Sequence, residues 1–178
     1  MWLPDDLRPV LRSAASMDDA QRYAALVGVT TRQGFRIETF IDARYYGGQA
    51  VPWRIVRLHE PPRLSLRDRL PRFLHEVVHV LRMKTMFPRL GGLSPWAWGA
   101  AYLLNPWFRR REEMLGEAYE AALKSTLVES SNTAHAVRHH VSTRLGGWFR
   151  FPYFAGGCKA EIEQQIAEMA VEVRRQVQ

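Results

Sequence analysis

His75-Glu76-Val77-Val78-His79 is the segment of this chain whose residue types and spacing can do chemistry. On a helix, residues four apart share a face, so His75 and His79 can offer two imidazole nitrogens to one metal ion. Glu76 is turned by about 100° from His75, which aims it at a water on the metal instead of at the metal. Metal-assisted hydrolysis requires that arrangement. Zinc acidifies a water, and a carboxylate removes its proton and later delivers it to the leaving amine. With 6 His and 178 residues in the chain, chance alone produces on the order of 0.01 such motifs.

A catalytic zinc site needs a third protein ligand and keeps its fourth position open. Glu112, Glu113, Glu117 and Glu120 are the candidates. Glu117 follows Met114 by three residues and precedes Ala121 by four, at the border of an apolar helix face; Glu113 and Glu120 are expected nearer solvent on the same wheel. Glu117 is therefore the preferred third ligand, and Glu112 stays open. A second set, His135, His139 and His140, has no carboxylate between its histidines. These are expected at the surface or on the substrate side, with His135 as an alternative ligand. Cys158 reads as a small packing residue.

The histidines need a buried helix to hold them. Phe73, Leu74, Val77, Val78, Val80 and Leu81 supply its apolar surroundings, between a start near Ser65 or Leu70 and an end near Met86, before Pro88. Upstream, Phe35, Ile37, Thr39 and Ile41 alternate with polar neighbours as a strand would. Gly47-Gly48 marks a turn, and residues 53–58 read as a second strand whose edge could align an extended peptide. Downstream, residues 90–108 are free of charge but interrupted by Gly91, Gly92, Pro95, Gly99, Asn105 and Pro106. A buried helix or an interfacial segment fits better than a membrane span. A further helix is expected from Pro106 to about Val128, a short one over 135–144 and a loop over 146–157. The last helix, 158–177, has Ile162, Ile166, Met169, Val173 and Val177 spaced for one buried face.

HEVVHV, then the segment containing Ala101-Tyr102-Leu103-Leu104-Asn105-Pro106, then Gly116-Glu117-Ala118-Tyr119, together resemble small bacterial and phage proteins of the zincin superfamily. The resemblance covers roughly residues 53–125. It implies a gluzincin-type site with His75, His79 and Glu117 as zinc ligands and Glu76 as general base. It departs from the family pattern at Leu81-Arg82, where related sequences often carry a polar residue such as Gln.

The expected fold is α+β and zincin-like. A small antiparallel sheet packs on the active-site helix and the ligand helix, and the C-terminal half is mostly helical. One domain spans 1–178, with a loosely ordered leader (1–16), the sheet (34–58), the metal-site helices (65–128) and a C-terminal helical extension (133–178).

The expected function is zinc-dependent hydrolysis of a peptide bond in a peptide or protein substrate. One alternative is a non-catalytic zincin scaffold serving as an assembly partner, for instance in a phage particle. Another is a basic protease acting on DNA-bound proteins. The net charge of +7 gives nucleic acid only weak support, because the basic run Arg109-Arg110-Arg111 is followed at once by Glu112-Glu113. A membrane is not an expected partner. One cysteine excludes an intramolecular disulfide, and the N-terminus lacks the pattern of a signal peptide. The expected setting is the cytoplasm, with virion association as the alternative.

Overall fold

A computed structural model describes residues 3–12, 17–40, 48–59, 65–127 and 159–177. The order of its main elements is α1 (Arg8–Leu11), α2 (Asp19–Arg32), β1 (Arg36–Phe40), β2 (Gly48–Val51), β3 (Ile55–His59), α3 (Leu66–Thr85), α4 (Ser94–Leu104), α5 (Pro106–Leu127) and α6 (Lys159–Val177). Helix dominates, and three strands form one small mixed sheet, an α+β arrangement.

The long helices begin where side chains can satisfy the first free amides. Asp18 caps α2 and Gln21 closes the reciprocal capping box. Ser65 accepts from the Asp68 amide at 3.2 Å and starts α3. Asn105 Oδ1 accepts from the amides of Trp107 and Phe108 at 3.0 Å each, just ahead of α5. Between the two possible starts of α3, the Ser65 cap decides, and Pro71 is carried in the second turn.

The sheet corrects two expectations. It is not antiparallel throughout: β1 pairs with β3 in parallel, Arg36 opposite Ile55, while β2 pairs with β3 antiparallel, Gly48 opposite Leu58. The segment expected to hold only a turn contributes β2. That strand takes the hairpin position beside β3 and leaves the parallel side to β1. Strand order is β1-β3-β2, so β3 lies in the middle and has no free edge. The edge beside α3 belongs to β2.

The leader is also not loose where it is described. A 3-10 turn at Asp5–Leu7 runs into α1, and Leu7, Val10 and Leu11 are fully buried. Arg22, itself buried, donates to the carbonyls of Val10 (2.8 Å) and Arg12 (3.2 Å). From the other end of the sequence, Arg174 donates to Leu11 O at 3.1 Å, and Arg8 donates to Gln176 O at 2.9 Å. Helix α2 runs to Arg32.

Helix α3 packs against α5, α2, α4 and the sheet, and α5 packs in turn against α6. Ile162, Ile166, Ala170 and Val173 of α6 are fully buried, and Met169 and Val177 flank the core. His135, His139, His140 and Cys158 lie outside the described residues, as do the segments 135–144 and 146–157.

Candidate metal centre

Helix α3 presents His75 and His79 one turn apart, with ring centroids 4.8 Å from each other. Both are buried, at 1% and 4% exposure. Across the interface α5 presents Glu113, Glu117 and Glu120, a spacing that puts them on one face. The helices meet closely at Gly116, where an added Cβ would lie 2.7 Å from His75 Cε1 and Nε2. Glycine inside a helix costs about 0.5–1 kcal/mol relative to alanine. At this position the missing side chain makes room for the imidazole.

The nitrogen edges of the two rings converge on one carboxylate. His75 Nε2 lies 3.6 Å from Glu113 Oε2, and His79 Nε2 lies 3.5 Å from Glu113 Oε1. Zinc–ligand bonds of about 2.0–2.1 Å in tetrahedral geometry set ligand atoms roughly 3.3–3.4 Å apart, so this spacing is close to that of a ligand set. Neither ring nitrogen of His79 has a hydrogen-bond partner among the described residues. An unmet buried polar group costs about 1–3 kcal/mol, and a metal ion at the Nε2 edge would remove part of that cost. Tyr102 donates its hydroxyl to Glu113 Oε1. Trp98 stacks on Tyr102 with centroids 4.9 Å apart and borders His79 at 5.5 Å.

The other nitrogen of His75 faces a different group. Nδ1 lies 3.4 Å from Arg72 Nη1, 3.5 Å from Glu120 Oε2 and 3.8 Å from Glu117 Oε1. Arg72 also approaches Glu76 at 3.3 Å and both Glu117 and Glu120 at 3.7 Å. His75, Glu117 and Glu120 could hold a metal by proximity alone, but a guanidinium already supplies positive charge there. Glu113, by contrast, has Tyr102, His75 and His79 as its contacts.

Electrostatics agree with that division. Burial and Arg72 both press the His75 pKa down, but its contacts with Glu113 and Glu120 outweigh them and raise it to about 9. Burial pushes Glu113 upward, yet the two histidines hold it well below the usual carboxylate range. The pocket between the rings and Glu113 therefore favours a positive charge, and a proton and a metal ion compete for it.

Each candidate from the sequence now has a position. His75 and His79 come together with Glu113, while Glu117 sits behind His75 on its Nδ1 side. Glu113 and Glu120 do not face solvent, being only 7% and 4% exposed. The helix wheel assumed that carboxylates turn outward, and here the buried face of α5 is itself polar. Glu76 is 2% exposed and lies against Arg72. Glu112 is engaged elsewhere: Arg82 grips it with Nε at 3.0 Å and Nη2 at 2.6 Å, and Trp98 Nε1 donates to it at 3.1 Å.

Sequence reasoning missed Arg72, Tyr102 and Gly116. Two had a readable signal: Arg72 stands three and four residues before His75 and Glu76, and a glycine deep in a helix asks for a packing reason. Comparison with family models, with curated proteins and with solved structures finds no match to this chain.

Proposed function

We propose that the protein is a zincin-like, zinc-dependent peptidase with His75, His79 and Glu113 as its metal ligands. The convergence of both Nε2 atoms on one buried carboxylate, at near-ligand spacing, carries this reading. Glu113 replaces Glu117 in the ligand role because it alone is close to both rings. Glu117 and Glu120 become braces on Nδ1 of His75, the position from which an outer carboxylate orients a ligating imidazole. Tyr102 holds Glu113 from the opposite side.

Zinc, when bound, supplies Lewis acidity toward water and a carbonyl oxygen. Glu76 receives a proton from the attacking water at a carboxylate oxygen and returns it to the leaving amine. Arg72 sets the resting position of Glu76. The outer edge of β2, beside α3, is where an extended peptide adds its main-chain hydrogen bonds.

The test combines metal analysis with cleavage of an unfolded protein substrate. Protein purified without chelator should carry about one zinc per chain. Glu76→Gln should keep it and lose roughly 10²–10⁴-fold in cleavage rate. Glu113→Gln should lose zinc, while Glu117→Gln should weaken it by about 10–100-fold. Full zinc in Glu113→Gln with none in Glu117→Gln would return the ligand role to Glu117. The contact of Glu76 with Arg72 favours one second reading, a zinc-stabilised scaffold without catalysis. Zinc-loaded wild type that cleaves nothing would decide for it.

A further inference from the structure

Helix α4 is apolar all round, which is the composition of a buried helix, yet only one side of it is covered. Ser94, Pro95, Trp98 and Gly99 are buried toward α3, α5 and the β2–β3 turn, where Pro52 fills the space left by Gly99. The opposite side carries Leu93, Trp96, Leu103 and Leu104, exposed at 65%, 56%, 73% and 83%, and Trp107 at the start of α5 continues it at 66%. At 100° per residue, positions 93, 96, 100, 103 and 104 fall within about 100° of arc. They form one continuous apolar face.

The charge carried by this stretch has one sign. From Met86 to Arg111 there is no acidic residue, and Arg89, Arg109, Arg110 and Arg111 lie in the same stretch. Arg110 extends over the Trp107 ring at 5.8 Å, and Arg54, from the β2–β3 turn, approaches Gly92. Exposed leucines, tryptophans at the margin and arginines beside them are the complement of an anionic lipid surface. The apolar side chains enter the acyl boundary and the guanidiniums meet the headgroups. A twofold pairing of two copies would instead bring the two arginine rims together. No helix among the described residues is long and apolar enough to cross a membrane, so the contact would lie in the interface.

We propose that the outer face of α4, with the start of α5, seats the protein on an anionic membrane surface. The inner face of the same helix brings Trp98 and Tyr102 to the metal centre. One helix diameter, about 10–12 Å, therefore separates that centre from the lipid. The proposal does not rest on the zinc reading, and chelated protein should bind lipid equally well.

Cosedimentation of the full chain with vesicles tests it. Vesicles of equal parts phosphatidylcholine and phosphatidylglycerol should carry the protein down, and pure phosphatidylcholine vesicles should carry far less. Leu103→Glu/Leu104→Glu, at two exposed positions, should cut partitioning by roughly tenfold or more without changing circular dichroism. Arg110→Gln/Arg111→Gln should cut it about fivefold per arginine, and added salt should have the same direction of effect. Wild type left in the supernatant, wild-type binding by the leucine variant, or equal binding to both vesicle types overturns the proposal. A wild-type dimer that Leu103→Glu/Leu104→Glu dissociates, without vesicle binding, assigns the face to a second copy instead.

Discussion

Helix α5 lies between two interfaces built on opposite principles. Toward α6 the packing is mainly hydrocarbon: Ile162, Ile166, Ala170 and Val173 are fully buried, and Arg174 adds one hydrogen bond to Thr126 Oγ1 at 2.6 Å. Toward α3 the buried polar groups are His75, His79 and the carboxylates of Glu76, Glu113, Glu117 and Glu120, with the partly buried Arg72 among them. An apolar interface is held by transfer of surface from water and tolerates local imperfection at a graded cost. A buried polar interface is worth keeping only if its charges are matched, and the loss of one partner exposes the desolvation cost of the rest. The first interface should respond to side-chain volume. The second should respond to ions and pH.

The largest effect that could break this contrast lies on the apolar side. Ile166→Ala should destabilise by about 2–5 kcal/mol, read as a denaturant midpoint, with the same loss whether chelator is present or not. A chelator-dependent loss would mean that the two interfaces are not separable. Gly116→Ala should act on the polar side. The new methyl drives His75 from its seat, and zinc affinity should fall roughly 10–100-fold. Chelated protein should lose at most about 1–3 kcal/mol from the crowding, partly offset by the better helix propensity of alanine. Unchanged zinc affinity would show that the ring has another place to go.

Tyr102→Phe should have a smaller effect, because it removes one hydroxyl from Glu113 and leaves the packing with Trp98. An affinity loss of about tenfold in zinc competition with a chromogenic chelator is expected.

The chelated protein should also respond to pH. His75 is raised in the fold from 6.5 to about 9. Its contribution to stability is therefore complete below pH 6.5 and is lost as pH rises through 9. Denaturant midpoints of the chelated protein should fall over that window, and a flat profile there would contradict the charge balance described for the pocket. Zinc-loaded protein should show little of the decline, since the metal takes the proton's place.

The contrast also accounts for what could be read without a structure. The α6 face obeys the helical period, and Ser65 stands as one of two expected starts of α3, so these elements were legible. His75 and His79 were legible because their spacing is a property of one helix. Which carboxylate of α5 approaches both rings was not. Choosing among Glu113, Glu117 and Glu120 depends on the rotation of α5 against α3, which local periodicity does not encode, and the assumption that carboxylates seek water pointed away from Glu113. Strand β2 was hidden for a related reason. Gly48 and Gln49 have weak strand preference, and the segment becomes a strand because β3 offers it hydrogen bonds.

The hydrogen bonds that clasp the N-terminal segment also bear on synthesis. Leu11 is held by Arg174, and Arg8 by the carbonyl of Gln176, groups separated by 163 and 168 residues. A ribosome at about 5–20 residues per second therefore delivers these anchors many seconds after the segment they secure. Until then Leu7, Val10 and Leu11 have only the α2 and α5 sides of their seat. The α3–α5 pair can assemble before that closure, which makes docking of α1 a late step and leaves Leu7 and Leu11 accessible to a chaperone in the interval.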